Sequence, residues 1–238
     1  KYESIKTTQH EYQLIENEDE LRRLCDFFIT KEFVSIDTET TSTDAISAEL
    51  VGLSFSAEES KAFYVPVPAN YEEALKVVQI FKPLYESDKI MKIGQNIKYD
   101  YEVLTRYGVT IQGKMFDTMI AHYLIQPELH HNMDYLAETL LGYQTIHIEE
   151  LLGPKGKKQK NMRDVSPTDI YEYAAEDADI TLRLKNVLEP RLKELGVEEL
   201  FWNIEMPLVR VLADMELNGV CLDTEALQDT SKIFNERM

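Results

Sequence analysis

The stretch Phe33-Val-Ser-Ile-Asp-Thr-Glu-Thr40 runs from apolar and β-branched residues into polar ones, a pattern typical of a β-strand. Its two acids, Asp37 and Glu39, are two positions apart, so a strand places both side chains on one face. Two neighbouring carboxylates repel each other unless a cation lies between them. A pair of solvated acids at a strand end has the same spacing, so the pair alone leaves both interpretations open.

The segments around this strand predict an α/β domain. Three early strands are followed by an alternation of strands and helices, which is typical of a mixed sheet, here of five strands, flanked by helices. Asp117 is placed to cap the helix that follows the last strand, and from there to about residue 200 the pattern is mainly helical. The predicted elements are strands at 33–40, 50–56, 61–66, 89–93 and 115–116 and helices at 71–86 and 96–107.

The last part of the chain predicts the start of a second domain. Pro207 is suited to the first turn of a helix over 207–217, and Gly219 ends that helix. Asp223-Thr224 can then cap another helix. The chain begins without Met and stops at Met238 inside a helical pattern, so we expect a piece of a longer protein.

The composition is that of a globular chain without cross-links or membrane spans. Of 238 residues, 44% are hydrophobic and 29% are charged, and no apolar run approaches the roughly 18 residues of a membrane helix. The start of the chain lacks a signal-peptide pattern. Cys25 and Cys221 have no nearby Cys or His partners, which argues against a zinc site or a disulfide framework and fits a reducing, cytoplasmic compartment.

The formal net charge of −18 argues against strong binding of nucleic acid by this piece alone, because acidic chains repel phosphate at long range. Bound metal ions would reverse the sign of the charge locally. The basic residues are also unevenly spread. One stretch without acids contains Lys155, Lys157, Lys158, Lys160 and Arg163, and it can contact phosphates or be only a solvated loop.

Two further pairs have helical spacing. Asn96 and Asp100 are four positions apart, as are Tyr173 and Asp177, so each pair shares a helix face. Ordinary surface helices show such pairs constantly. The alanines between Tyr173 and Asp177 leave room for a close approach. Glu176 and Asp179 lie off that face and are lesser candidates.

Together the three motifs are more specific than any one of them. Asp-x-Glu at 37–39, Asn-x-x-x-Asp at 96–100 and Tyr-x-x-x-Asp at 173–177 resemble the exonuclease motifs of the DnaQ-like superfamily, in its tyrosine-bearing branch with four acids. The histidine-bearing branch has His five residues before the last acid, where Glu172 stands here. The surrounding sequence resembles the proofreading 3′→5′ exonuclease domain of bacterial DNA polymerase I. The words that carry this resemblance are Ile36-Asp-Thr-Glu-Thr40, Gly94-Gln-Asn-Ile-Lys-Tyr-Asp100, Phe116-Asp-Thr-Met119 and Tyr173-Ala-Ala-Glu-Asp-Ala-Asp179.

The resemblance covers roughly residues 10–238 and implies the fold and the domain boundary. It implies a ribonuclease H-like exonuclease domain over 1–205. The segment from Glu205-Met-Pro-Leu208 to Asn218-Gly-Val-Cys-Leu-Asp223 is similar to the passage into the polymerase domain of that family. Residues 206–238 are therefore expected to begin a family A polymerase domain, too short here for polymerase activity. The implied partners are 3′ ends of single-stranded DNA and the polymerase domain of the same chain, in a monomer in the bacterial cytoplasm.

The resemblance also implies the site. Two divalent ions, Mg²⁺ or else Mn²⁺, would be held by Asp37, Glu39, Asp100 and Asp177, a donor set of oxygens that suits these ions. Asp37 would bridge both ions. Tyr173 would orient the attacking water, because a phenol that titrates near 10 is a poor base at neutral pH. The expected substrate-binding residues are Thr38, Thr43, Gln95, Asn96, Tyr99 and Ile148, of which Thr43 and Ile148 stand where the family often has Leu and Phe.

Two alternatives stay open. An RNA-trimming exonuclease of the ribonuclease D type has the same acids and tyrosine, although the polymerase-like tail after Glu205 argues against it. A structural platform of a polymerase, with its acids kept but idle, is the second. Hydrolysis of single-stranded DNA compared with RNA distinguishes the first, and metal-dependent release of mononucleotides excludes the second.

Overall fold

The computed structural model of the protein describes residues 2–154, 156 and 159–237. Short turns of π-helix at Ala137–Leu141 and Phe201–Glu205 and of 3-10 helix at Met162–Asp164 accompany the main elements. The strands are β1 (Glu3–Ser4), β2 (Glu11–Leu14), β3 (Phe33–Thr40), β4 (Leu50–Glu58), β5 (Lys61–Pro66), β6 (Met91–Gly94), β7 (Met115–Asp117) and β8 (Tyr143–Gln144). The helices are α1 (Glu18–Phe28), α2 (Tyr71–Ile80), α3 (Lys82–Tyr85), α4 (Ile97–Arg106), α5 (Thr118–Ile125), α6 (Met133–Leu136), α7 (Ile148–Leu152), α8 (Pro167–Glu194), α9 (Glu198–Leu200), α10 (Met206–Asn218) and α11 (Thr224–Arg237).

The main sheet is mixed, with the strand order β2-β5-β4-β3-β6-β7. Strands β3, β4 and β5 pair antiparallel, whereas β6 and β7 continue in parallel beside β3. The predicted mixed α/β sheet is confirmed, but it has six strands rather than five. The strand that the sequence did not reveal is β2, which adds to β5 in parallel. It has only four residues at the sheet edge, alternately exposed and half-buried, so it lacks an apolar signal.

The predicted helix over 71–86 is divided in two at Phe81. Pro83 lies two residues later, in the first turn of α3, where its missing N–H is tolerated. Within one continuous helix over 71–86 it would break the hydrogen-bond ladder. Phe81 itself is fully buried and stacks on Phe55 of β4 at 4.7 Å between ring centroids. The break thus turns an aromatic ring into the core.

The two faces of the sheet have different side chains. On one face Phe55 packs against Phe28, Phe81 and Tyr85 from the α1–α3 side, which forms a thick aromatic core. On the other face lies the long helix α8, which contacts strands β2 to β6. That face carries small residues opposite the acids of β3, since Asp37 pairs with Ser54 and Glu39 pairs with Gly52.

Small side chains let α8 come close to the acids of β3. Ala174 and Ala178 are fully buried on the helix. At Gly52 an added Cβ would lie 2.2 Å from a ring carbon of Tyr64, so the missing side chain makes room for this ring, which packs in one apolar cluster with Ala174 of α8. The close approach places the helical turn from Tyr173 to Asp177 next to the acids at the carboxyl end of β3.

Helix α10 packs on this same core. Its Met206, Val209 and Ala213 are buried in the main hydrophobic cluster, whereas α11 has no buried residue among those described. The expected caps at this end are present, since Gly219 has φ +67° after α10 and Asp223 accepts a hydrogen bond from the Ala226 N–H. Through the part of the chain that the structure describes, no helix has the length and apolar character needed to cross a membrane.

Candidate active site

Strand β3 and helix α8 bring three carboxylates together. Asp37 and Glu39 project from one face of the strand, and Asp177 projects from the helix that covers this face. One oxygen from each of the three lies within 4.8 Å of the others. Glu39 is only 6% exposed, and Asp37 and Asp177 are half-buried, so this acidic cluster lies in a cleft rather than on an open surface.

Asp100 adjoins the acidic cluster from helix α4. This helix begins directly after β6, which runs parallel to β3, so the carboxyl ends of both strands meet at the same edge of the sheet. Asp100 is 2% exposed, and its Oδ1 accepts a hydrogen bond of 2.7 Å from the Thr38 hydroxyl. Thr38 therefore holds an acid, and the substrate contact predicted for it stays a prediction.

Burial raises the pKa of all four acids, and the charges of neighbouring acids raise it further for Glu39, Asp100 and Asp177. Burial raises the pKa of Asp37 to about 7, although the Thr38 backbone N–H lowers it somewhat. Burial and then the charge of Asp37 raise the pKa of Glu39 and of Asp100 well above the usual range. For Asp177 the causes are burial, Asp37 and Glu39, in that order. No basic side chain among the described residues lowers these pKa values, so those residues supply the acids with no counter-charge.

Tyr173 lies beside the acidic cluster, one helical turn before Asp177. Its ring is half-buried and packs at the edge of a small apolar cluster with Ile170 and Ala174. Burial and the charges of Asp177, Glu39 and Asp37 raise the pKa of the phenol well above its usual range. The phenol is therefore neutral, and its O–H is a hydrogen-bond donor that faces the Asp177 carboxylate.

Three of the expected substrate-binding residues share a cavity of about 230 Å³, which is lined by Thr43, Asn96 and Tyr99. Asn96 is exposed and has a left-handed backbone, with φ 62° and ψ 48°. The Tyr99 hydroxyl bonds with the Thr40 hydroxyl and donates to the Ser42 carbonyl, which fixes its ring at the edge of the cavity. The sequence alone did not indicate a role for Thr40, because that role depends on a partner 59 residues away.

The other three, Thr38, Gln95 and Ile148, do not line that cavity. The Gln95 amide donates to the His131 carbonyl at 2.7 Å and accepts from the Thr118 hydroxyl, so both ends of its side chain are engaged within the protein. Ile148 packs from α7 against the apolar cluster that also contacts Tyr173.

The basic stretch after α7 is only partly described. Lys155, Lys157 and Lys158 lie outside the described residues, and Lys160 is exposed. Arg163 does not extend to solvent as a phosphate contact would, because its guanidinium donates to the Val67 and Leu50 carbonyls. Asn161 donates to the Thr41 carbonyl at 2.8 Å and fastens this stretch to the end of β3.

Comparison with known proteins identifies related sequences. A sequence model of the family described as 3′-5′ exonuclease matches residues 12–193. DNA polymerase I of Pseudomonas aeruginosa is 40% identical over 217 residues, which cover 87% of this chain and 24% of that protein. DNA polymerase I of Borreliella burgdorferi is 38% identical over 228 residues, which cover 94% of this chain and 25% of that protein. The chain thus spans about a quarter of the length of these curated relatives.

Solved structures agree in fold. The POL domain of Pol1 from M. smegmatis, in complex with a DNA primer-template and dNTP, matches with a TM-score of 0.75 and 18% identity, over 94% of this chain and 35% of that one. Brucella melitensis NrnC matches with a TM-score of 0.69 and 22% identity, over 89% of this chain and 94% of that one. This likeness confirms the predicted ribonuclease H-like exonuclease fold.

Proposed function

The chain belongs to the 3′–5′ exonuclease family, and we propose that it hydrolyses the terminal phosphodiester bond at the 3′ end of single-stranded or frayed DNA. The products would be nucleoside 5′-monophosphates, released one at a time. The observation that carries this proposal is the group of mutually close carboxylates, Asp37, Glu39 and Asp177, with Asp100 beside it.

The donor set fits divalent cations. Buried carboxylates that face one another are unfavourable when charged, and a cation is the ordinary way to relieve this. The cluster offers oxygens and no sulfur or imidazole, which suits Mg²⁺ or Mn²⁺ rather than zinc. We propose Mg²⁺, with Mn²⁺ as a substitute.

The four acids would divide two such ions between them. Asp37, central in the cluster, would contact both ions, with Glu39 and Asp177 completing the first site and Asp100 serving the second. Two bound divalent ions about 4 Å apart supply an acidified water and stabilise the charge on the departing oxygen. Thr38 fixes Asp100 by its hydrogen bond of 2.7 Å and leaves the other carboxylate oxygen available.

Tyr173 would act as a hydrogen-bond donor rather than as a base. The neighbouring acids keep the phenol protonated, so it cannot accept the proton of the attacking water. We assign it to holding that water in line with the scissile bond. Positioning of this kind removes the orientational part of the barrier.

The cavity lined by Thr43, Asn96 and Tyr99 would hold the terminal nucleotide. A fixed aromatic ring offers a stacking surface that does not depend on the base, which suits an enzyme acting on any sequence. Ile148 would contact the nucleotide from the opposite side, next to Tyr173. Gln95 would contribute indirectly, since its amide is engaged within the protein.

The curated relatives supply the wider context. Because they are bacterial DNA polymerases I and this chain spans about a quarter of their length, we propose that the site proofreads for a polymerase domain of the same chain. Residues 206–238 would begin that domain after an exonuclease unit over 1–205. The protein would act as a monomer in the bacterial cytoplasm.

The test uses one oligonucleotide, labelled at its 5′ end in one reaction and at its 3′ end in another, with Mg²⁺, Mn²⁺ or EDTA. We expect a descending ladder from the 5′ label, labelled mononucleotide from the 3′ label and no cleavage in EDTA. Asp177→Ala should abolish both signals. An RNA strand of the same sequence runs in parallel, and faster hydrolysis of RNA would favour the ribonuclease D type. A protein inert on both strands in either metal would be a platform without activity.

A further inference from the structure

Glu176, a buried acid next to Asp177, bonds to a different segment of the protein from the acidic cluster. Glu176 is fully buried, but its carboxylate does not join the acidic cluster. Its Oε1 accepts a hydrogen bond of 2.7 Å from the Tyr143 hydroxyl, and its Oε2 accepts one of 2.6 Å from the Ile146 backbone N–H. Both oxygens therefore hold the segment 143–146 onto α8.

The held segment forms a wall opposite Tyr173. Gln144, Thr145 and Ile146 line one cavity of about 570 Å³ together with Tyr173. Helix α7 begins two residues after Ile146, and its Ile148 and Leu151 pack against the apolar cluster that contacts Tyr173. Besides Glu176, the wall is held by the Thr145 hydroxyl, which donates to the Asp134 carboxylate, and by the two-residue strand β8, which pairs with β1.

We propose that Glu176 is a positioning residue that acts through this wall to fix the Tyr173 phenol, and with it the attacking water. The inference rests on the proposed exonuclease function. A hydroxyl and an amide N–H that both donate to one carboxylate define its position more closely than either bond alone. Loss of the contact would let the 143–151 segment, and the ring beside it, move away from the acidic cluster.

Two variants break the hydrogen bond between Tyr143 and Glu176, one at each partner. Glu176→Gln leaves one acceptor and places an amide N–H₂ against a donor, whereas Tyr143→Phe removes only the hydroxyl and leaves the Glu176 carboxyl group in place. Since the second variant does not change the side chain next to Asp177, agreement between the two assigns the effect to the hydrogen bond that they share. Tyr143→Phe also carries the test if the Gln variant fails to fold.

The measurement is a double-mutant cycle with Tyr173→Phe, using kcat and KM on single-stranded DNA at saturating Mg²⁺. We expect each variant to lower kcat about tenfold with little change in KM. In the Tyr173→Phe background the same changes should lower kcat by less than about twofold, because the group being positioned is already gone. Asp179→Asn is the matched control, a buried acid of α8 that bonds Tyr12 and Ser60 instead, and its effect should be equal in both backgrounds.

Each outcome has one meaning. Equal losses in both backgrounds for Glu176→Gln and Tyr143→Phe would overturn the positioning role and leave the proposed function intact. A loss from Glu176→Gln larger than that from Tyr173→Phe itself would also overturn it, since the effect could not pass through the phenol. A wild-type protein without activity on DNA or RNA would instead remove the proposed function on which the inference rests.

Discussion

Helix α8 carries two kinds of buried acid within three residues. Asp177 faces the carboxylates of Asp37 and Glu39, while its neighbours Glu176 and Asp179 face hydrogen-bond donors. Burial raises the pKa of all three. The difference lies in the partners, because donors favour the charged carboxylate, whereas like charges disfavour it. The acid that faces like charges is therefore the one that needs a cation.

Asp117 extends the comparison to another helix. It accepts backbone N–H groups from Met119 and Ile120 at the start of α5 and from Asn96 and Ile97 at the start of α4. These bonds partly offset the rise of its pKa by burial. Asp117 thus joins two helix starts and faces backbone donors, while the cluster acids face one another.

The largest expected effect is on the exonuclease rate, and it distinguishes substitution of Asp177 from substitution of Asp179. Asp177→Asn should lower the exonuclease rate by roughly a thousandfold, since a metal ligand is worth several kcal/mol in the transition state and each 1.4 kcal/mol is tenfold. Its metal-free melting temperature should stay equal or rise, because a repulsive charge is removed. Asp179→Asn should lower the melting temperature instead. A similar loss of stability in both variants would contradict the distinction between the two acids.

The second effect concerns pH and metal. A carboxylate with its pKa raised in the folded state, to about 7 for Asp37, binds a proton more tightly when folded than when unfolded. The metal-free protein should therefore lose stability as the pH rises from about 4 through 7. Mg²⁺ binds the ionised acids, so it should raise the melting temperature more at pH 8 than at pH 5.5.

Asp37→Asn is the control for this titration, since it removes one of the coupled groups. The metal-free variant should show a shallower decline of stability as the pH rises. Thermal melting in EDTA measures this decline. A decline as steep as that of the wild type would assign the pH dependence to acids outside the cluster.

The third effect concerns Asp117. Asp117→Ala removes the cap of α5 and leaves four backbone N–H groups without their acceptor, so we expect a loss of about 2 kcal/mol in the free energy of unfolding. Asn17→Ala removes the cap of α1, which serves only Asp19 N–H, and should cost about 1 kcal/mol. Urea denaturation measures both. Only Asp117→Ala should also slow hydrolysis, since α4 carries Asp100.

Much of the fold could be predicted because its signals are local. The strand Phe33–Thr40, the cap at Asp117 and the stop at Gly219 each depend on a few consecutive residues. Strand β2 could not be predicted in this way, since its pairing with β5 comes from residues 50 positions away. The turn at Phe81 likewise depends on its burial against Phe55.

The acidic cluster could be anticipated from spacing and family resemblance, which also favoured Asp177 over Glu176 and Asp179 in Tyr173-Ala-Ala-Glu-Asp-Ala-Asp179. What Glu176 and Asp179 bind could not be anticipated. Their partners come from segments far apart in the chain, such as Tyr12 for Asp179 and Tyr143 for Glu176. For the same reason Gln95 was expected at the substrate, although its amide is engaged by His131 and Thr118.

The smallest expected effect comes from comparing Tyr12→Phe with Tyr143→Phe. Each substitution removes one hydroxyl that donates to an acid beside Asp177. Tyr12 donates to Asp179 at 2.8 Å just as Tyr143 donates to Glu176 at 2.7 Å. Tyr12→Phe leaves Asp179 the Ser60 N–H at 2.7 Å, so we expect a loss of about 1 kcal/mol in the free energy of unfolding. Its kcat on single-stranded DNA should equal that of the wild type, because β2 lies at the far edge of the sheet from Asp100. If Tyr12→Phe slowed hydrolysis as much as Tyr143→Phe, the loss would report general loosening of α8, and the wall at 143–146 would have no special connection to Tyr173.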